Sequence, residues 1–248
     1  MKTYKNIQLR VADSIAILEL SRPDRLNVFD REMDEEFSHA LDLVSKERHV
    51  RVLIITGAGR AFCSGRDIAS LEEEDETRLM RLRRPRLLSL EKPVIAAVNG
   101  YAFGEGADIA LMCDIILASE EAKFAFPGAR LGIVCPYALV RLSEEIGRNR
   151  AKELLMTGRT FDAEEAFSIG LVNRVVPKER LMEEALSLAK EIVLSAPLSV
   201  TAIKKAVNRD LTGFELSYET MRELMKTEDF KEGVRAFLEK RKPDFKGR

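Results

Sequence analysis

Two β-type runs open the chain, Ile7 to Val11 and Ile15 to Leu20, separated by Asp13-Ser14. Short apolar runs bounded by turn residues predict paired strands, here a hairpin. Ser21-Arg22-Pro23-Asp24 predicts a turn. From Asp30 the period lengthens: Met33, Phe37, Ala40, Leu41 and Val44 share one face of a helix, with Asp30 as its N-cap. Val52 to Ile55, Val94 to Val98 and Ile115 to Ala118 are apolar throughout, the pattern of strands buried on both faces. Asp162 and Glu165 form a capping pair for a short helix closed by Gly170, and Val172 to Val176 reads as a strand ended by Pro177. From Glu179 onward the pattern is helical, with breaks at Pro197 and Gly213. Strands alternating with helices imply an α/β fold with parallel pairing. A boundary near residue 195 separates a core, 1–195, from a helical C-terminal segment, 196–248.

Composition narrows the function classes. The 248 residues carry 40 Lys+Arg against 41 Asp+Glu, a net charge of −1, which gives no bulk attraction to nucleic acid. Cys63, Cys113 and Cys135 have no metal-type spacing and read as reduced thiols. The N-terminal residues show no apolar leader, and no apolar run approaches the ~18 residues of a membrane span. A cytoplasmic protein with no membrane partner is the expectation. The two histidines, His39 and His49, fall in or near the first helix and support neither a zinc site nor a catalytic triad. Gly57-Ala58-Gly59 lacks the third glycine and downstream acid of a dinucleotide loop, and Gly57 to Gly65 lacks the Gly-Lys-Ser/Thr of a P-loop.

The chemistry concentrates between Lys92 and Ile116. The apolar run stops at Asn99-Gly100, and Gly104-Glu105-Gly106 opens a helix with Asp108 in its first turn. Glycines let backbone N–H groups approach a ligand closely, and a helix N-terminus adds outward-pointing donors and partial positive charge. Together these make a cradle for a developing oxyanion. Asp108 reads either as a proton-transfer group or as an acid that stabilises the helix start.

This stretch resembles a signature of the enoyl-CoA hydratase/isomerase (crotonase) family. Gly57 to Ile68 (GAGRAFCSGRDI) resembles that family's other signature loop, at the family's spacing. The likeness continues through Arg130 to Ile133, Glu153 to Gly158 and Ala236 to Arg241, nearly the whole chain. It implies a spiral of strand-strand-helix units with C-terminal helices that mediate trimer formation, as a homotrimer or a dimer of trimers. It implies an acyl-CoA thioester substrate, with coenzyme A as the carrier and no metal or redox cofactor.

Residue by residue, the resemblance places the two oxyanion N–H donors at Arg66 and Glu105, where family members usually carry a small residue and a glycine. These two side chains either intrude on the site or point away from it. Asp108 matches the first catalytic glutamate of family hydratases. Gly128, in Phe126-Pro127-Gly128-Ala129, stands where the second glutamate is found. Syn-addition of water uses two carboxylates that share one water, so that arrangement is missing here. Some members, such as naphthoate synthases, have glycine at this position and a small anion filling the gap. Glu105, three residues before Asp108, is a candidate replacement, since two carboxylates in one apolar pocket split into an acid and a base. Tyr137 reads either as a hydrogen-bond donor in the acyl pocket or as a packed residue. The Pro136-Tyr137 run resembles that of methylmalonyl-CoA decarboxylases.

By the same resemblance, Ala61, Gly65, Arg66, Asp67, Ile68, Ala69 and Gly104 border the adenine and pantetheine. Arg25 and Leu26 come near the nucleotide. Lys240 matches a lysine that reaches a neighbouring subunit's cofactor, although alone it reads as a solvated charge. Leu71 to Arg86, an acidic block followed by a basic one, reads as a solvated helix or as a lid over the acyl pocket. The implied activity is enoyl-CoA hydration. Isomerisation, decarboxylation and thioester hydrolysis are alternatives on the same fold, and a non-catalytic CoA- or RNA-binding role is the rival class.

Overall fold

A computed structural model describes residues 4–68, 86–208 and 221–244. Strands β1 (Ile7–Ala12) and β2 (Ile15–Leu20) form the predicted antiparallel hairpin. Helix α1 (Arg31–Lys46) follows, its N-cap Asp30 accepting from the Met33 N–H. The chain then lays down strands in pairs, one long and one short: β3 (Val52–Gly57) with β4 (Ala61–Cys63), β5 (Val94–Val98) with β6 (Tyr101–Phe103), and β7 (Ile115–Ser119) with β8 (Lys123–Ala125). The long strands join one sheet, in order β1-β2-β3-β5-β7-β10, where β10 is Arg174–Val176. The short strands join a second sheet, in order β4-β6-β8-β9, where β9 is Thr160–Asp162. Pairing is parallel except at β1-β2 and β8-β9. Each turn of the spiral therefore feeds both sheets before the next helix.

The all-apolar strands do bury both faces. Leu53 and Ile55 of β3 enter the main core with Met33, Phe37 and Leu41 of α1. Val52 and Ile54 point the other way and pack with Leu181, Ala185 and Ala189 of α6 (Leu181–Val193). Between β5 and α6 come α2 (Glu105–Met112), α3 (Pro136–Ile146), α4 (Arg148–Thr157) and α5 (Ala163–Ser168). Helices α7 (Pro197–Val207) and α8 (Glu228–Leu238) complete the described chain.

The strand expected over Val172 to Val176 begins only at Arg174, because the N–H groups of Leu171 and Val172 are taken by the carbonyl of Ala166 at the end of α5. Among the described residues no single helix is long and apolar enough to cross a membrane. The segment read as a solvated helix or lid lies outside the described residues, Arg86 excepted, as do Ala69 and Gly213.

Candidate active site

Two loops meet where the short strands end. The first, Ser64 to Asp67, follows β4 and is zipped to the segment after the hairpin. Ser64 N–H donates to the Leu26 carbonyl (3.0 Å), Phe29 N–H to the Gly65 carbonyl (2.8 Å), and Asp67 N–H to the Phe29 carbonyl (2.8 Å). This is a parallel bridge centred on Phe29 and Arg66. Phe29 bonds through both its own N–H and its own carbonyl to the peptides on either side of Arg66, which leaves the Arg66 N–H facing away from the Phe29 segment. The C=O and N–H of one peptide are opposed, so the Gly65 carbonyl, turned to Phe29, aims the Arg66 N–H the other way. Gly65 adopts φ +119°, a conformation that favours glycine.

The second loop ends β6 and starts α2. Gly104 N–H donates to the Ala125 carbonyl (2.9 Å), and Gly104 turns the chain at φ +51°. Asp108 N–H makes the first intrahelical bond, to the Gly104 carbonyl (2.9 Å), so the Glu105 N–H belongs to the outward-facing first turn. A Cβ on Gly106 would lie 2.1 Å from the Cys63 carbonyl oxygen, so a side chain there would part the loops.

A cleft of about 450 Å³ opens between them, mostly apolar in its lining. Gly65, Arg66, Ile68, Gly104, Glu105, Asp108 and Gly128 border it together. The Asp108 carboxylate is 1% exposed and accepts two backbone N–H bonds from the start of α3, Ala138 to Oδ1 (3.0 Å) and Tyr137 to Oδ2 (3.3 Å). It thus stabilises a helix start, that of α3, while lining the cleft. Glu105 is also buried, at 6% exposure. The cleft therefore holds two buried carboxylates one helical turn apart. Burial and the Glu105 charge push the neighbouring Cys63 thiol up to about 12.

The Arg66 side chain turns away from solvent and pairs with Asp34 of α1, Nη2 to Oδ2 at 2.6 Å, with 4% and 2% of the two side chains exposed. Asp34 was not singled out from the sequence. It lies between Met33 and Phe37, on the helix face that the apolar periodicity buries, and an acid on such a face is the signal for a buried cationic partner.

Gly128 does not leave a gap. A Cβ there would lie 2.9 Å from the carbonyl carbon and Cα of Val134 and 3.0 Å from the Cys135 nitrogen. Backbone of Val134 and Cys135 therefore lies where a side chain on residue 128 would start. Tyr137 is not among the residues lining the cleft. Its ring is buried in the main core, and burial raises its hydroxyl above the usual phenol range. Pro136, at the first turn of α3, borders the cleft in its stead.

Of the residues expected near coenzyme A, Arg25 and Asp67 pair with each other at 2.8 Å beside the first loop. Leu26 accepts from Ser64, and Ala61 is buried in β4, where its carbonyl accepts from the Asn27 amide (2.8 Å). Lys240 is exposed just after α8. None of these five lines the cleft. Instead the C-terminal helix of the same chain does, through Gly233 and Phe237, followed by Arg241. Close packing explains the approach: a Cβ on Gly233 would lie 2.6 Å from the Leu131 carbonyl. Among the described residues no group of three or more His, Cys, Asp or Glu is placed to hold a metal ion.

Comparison with known proteins agrees with this geometry. The sequence profile described as Enoyl-CoA hydratase/isomerase matches residues 10–248. The short-chain-enoyl-CoA hydratase of Clostridium acetobutylicum is 38% identical over 257 residues, covering 98% of each chain. The crotonyl-CoA hydratase of Syntrophomonas wolfei is 37% identical over 255 residues, again 98% of each. A crystal structure of an enoyl-CoA hydratase from Mycobacterium avium subsp. paratuberculosis superposes with a TM-score of 0.89 at 27% identity, covering 98% of this chain and 100% of that one. The chain has the crotonase fold and belongs to the enoyl-CoA hydratase/isomerase family.

Proposed function

We propose that this protein hydrates a 2-enoyl-CoA thioester, or dehydrates the 3-hydroxyacyl product, using backbone donors for the oxyanion and Asp108 for the proton. The observation that carries the reading is the convergence, in one mostly apolar cleft, of the outward-turned Arg66 N–H, the first-turn Glu105 N–H and the buried Asp108 carboxylate. The thioester oxygen sits against the two N–H groups, which stabilise charge as it builds there. Water adds through its oxygen to C3 while Asp108 takes the water's proton. The C2–C3 π electrons move toward C2 and the thioester oxygen, giving an enolate. The same proton is then returned to C2, so the carboxylate ends as it began.

One carboxylate suffices for that sequence, and Glu105 is the nearby group suited to orient the water. Among the described residues that line the cleft, Glu105 is the acid beside Asp108, and it is the candidate for the second carboxylate. Self-association to a trimer or dimer of trimers is part of the proposal. Leu194, Leu198, Ile203 and Val207, strongly exposed on the 196–248 segment and just before it, support that reading. Buried free thiols fit a reducing, cytoplasmic setting.

The test is a panel of crotonyl-, 3-enoyl-, dienoyl-, 3-hydroxyacyl- and methylmalonyl-CoA, followed by mass spectrometry. Gain of one water by crotonyl-CoA, lost in Asp108→Asn, supports the proposal. Loss of carbon dioxide, release of free CoA or a double-bond shift instead replaces it by decarboxylation, hydrolysis or isomerisation.

A further inference from the structure

The buried ion pair between α1 and the first loop has no part in the chemistry above, yet it joins the same two segments that set the Arg66 N–H direction. The peptide between Gly65 and Arg66 is held through the Gly65 carbonyl, which accepts from the Phe29 N–H at 2.8 Å and more weakly from the Cys63 thiol at 3.6 Å. Gly65, at φ +119°, has the torsional freedom to let that peptide rotate. Five residues beyond Phe29, Asp34 grips the Arg66 guanidinium at 2.6 Å. Segment 29–34 thus clamps residue 66 twice, once through backbone and once through side chain. The pair is also a poor stability device. Desolvating a guanidinium and a carboxylate offsets most of their attraction, and an apolar pair of the same size would serve the core as well or better. A buried pair in this place makes sense as a device for fixing geometry.

We propose that Asp34 is a positioning residue: by holding Arg66, it keeps the Gly65–Arg66 peptide aimed into the cleft and the arginine side chain out of the acyl space. This rests on the oxyanion reading given above, and the experiment separates the two. Butyryl-CoA carrying a 13C thioester carbonyl has no double bond to hydrate, so its bound carbonyl stretch reads N–H polarisation without turnover. In the unaltered protein the band shifts to lower frequency on binding. In Asp34→Asn the shift shrinks while butyryl-CoA affinity changes little, and kcat on crotonyl-CoA falls by up to about 100-fold with a smaller change in KM. Asp34→Glu recovers part of the shift.

Should Asp34→Asn fail to fold, the double variant Asp34→Leu with Arg66→Met removes both charges of the pair together, and the same reduced shift is expected from it. An unreduced shift and unchanged kcat in the folded variants would overturn the role of Asp34. No shift in the unaltered protein would instead overturn the oxyanion reading itself.

Discussion

Replacing Gly128 tests the account at the position where the family resemblance implies a second carboxylate and this chain has none. In Gly128→Ala, the new Cβ would sit 2.9 Å from the Val134 Cα and carbonyl carbon and 3.0 Å from the Cys135 nitrogen. Ordinary contact starts near 3.4 Å, so the 133–135 segment must retreat by about half an ångström. It is not free to do so. The Ile133 N–H is bonded to the Gly128 carbonyl at 3.0 Å, and Cys135 leads directly into Pro136 and the two N–H groups that hold Asp108. Overpacking of this kind costs about 1–3 kcal/mol. For a chain of this size that is a fall in Tm of roughly 2–12 °C.

The retreat also drags the Tyr137 and Ala138 donors, so Asp108 loses its alignment and kcat should fall on the order of tenfold. Differential scanning calorimetry and a crotonyl-CoA hydration assay read the two effects. Gly128→Glu should be worse on both counts, because its carboxylate has no room to reach the cleft as a second acid. A faster hydration rate in Gly128→Glu, or a Tm and kcat unchanged in Gly128→Ala, would refute the claim that backbone fills this place.

Other consequences are simpler. At Asp30 burial raises the carboxyl, but the Met33 N–H and the Arg22 guanidinium together outweigh it and hold the group below the usual carboxylate range. Its contribution is therefore fully present above that range and lost as pH falls below it through the group's own lowered value, and Asp30→Ala should cost about 1 kcal/mol at pH 7 and much less in strong acid, as read by denaturant melts at the two pH values. With Cys63 pushed up to about 12 and buried, it should not react with a thiol reagent at pH 8 until the protein is unfolded, and prompt labelling of the native protein at Cys63 by peptide mapping would contradict its placement.

The parts of the fold legible in the sequence are those whose signal is local. β3, β5 and β7 are unbroken apolar runs, α1 has a clean period and an N-cap, and α2 is announced by its glycines. The three-residue strands β4, β6, β8 and β9 carry too few residues for any period, and their pairing comes from neighbours far along the chain. The two loops that border the cleft, and Asp108 beside them, are legible because close backbone turns and a first-turn acid leave a trace in glycine spacing. Four features are not. The Arg66 side chain finds its partner 32 residues away. Tyr137 follows a helix-starting proline, so its ring turns into the core. Gly128 announces a missing carboxylate but not the Val134 backbone that takes its place. The approach of Phe237 and Arg241 to the cleft depends on how α8 packs on Leu131, again a contact between distant segments.

The most direct test of the central claim is hydration of crotonyl-CoA in 18O-water by the unaltered protein and by Asp108→Asn, with products resolved by mass. The account predicts one heavy oxygen incorporated into a 3-hydroxybutyryl-CoA product, and its loss in the variant with thioester binding retained. Equal incorporation by both proteins would contradict the role given to Asp108, and no incorporation by either would contradict the hydratase reading.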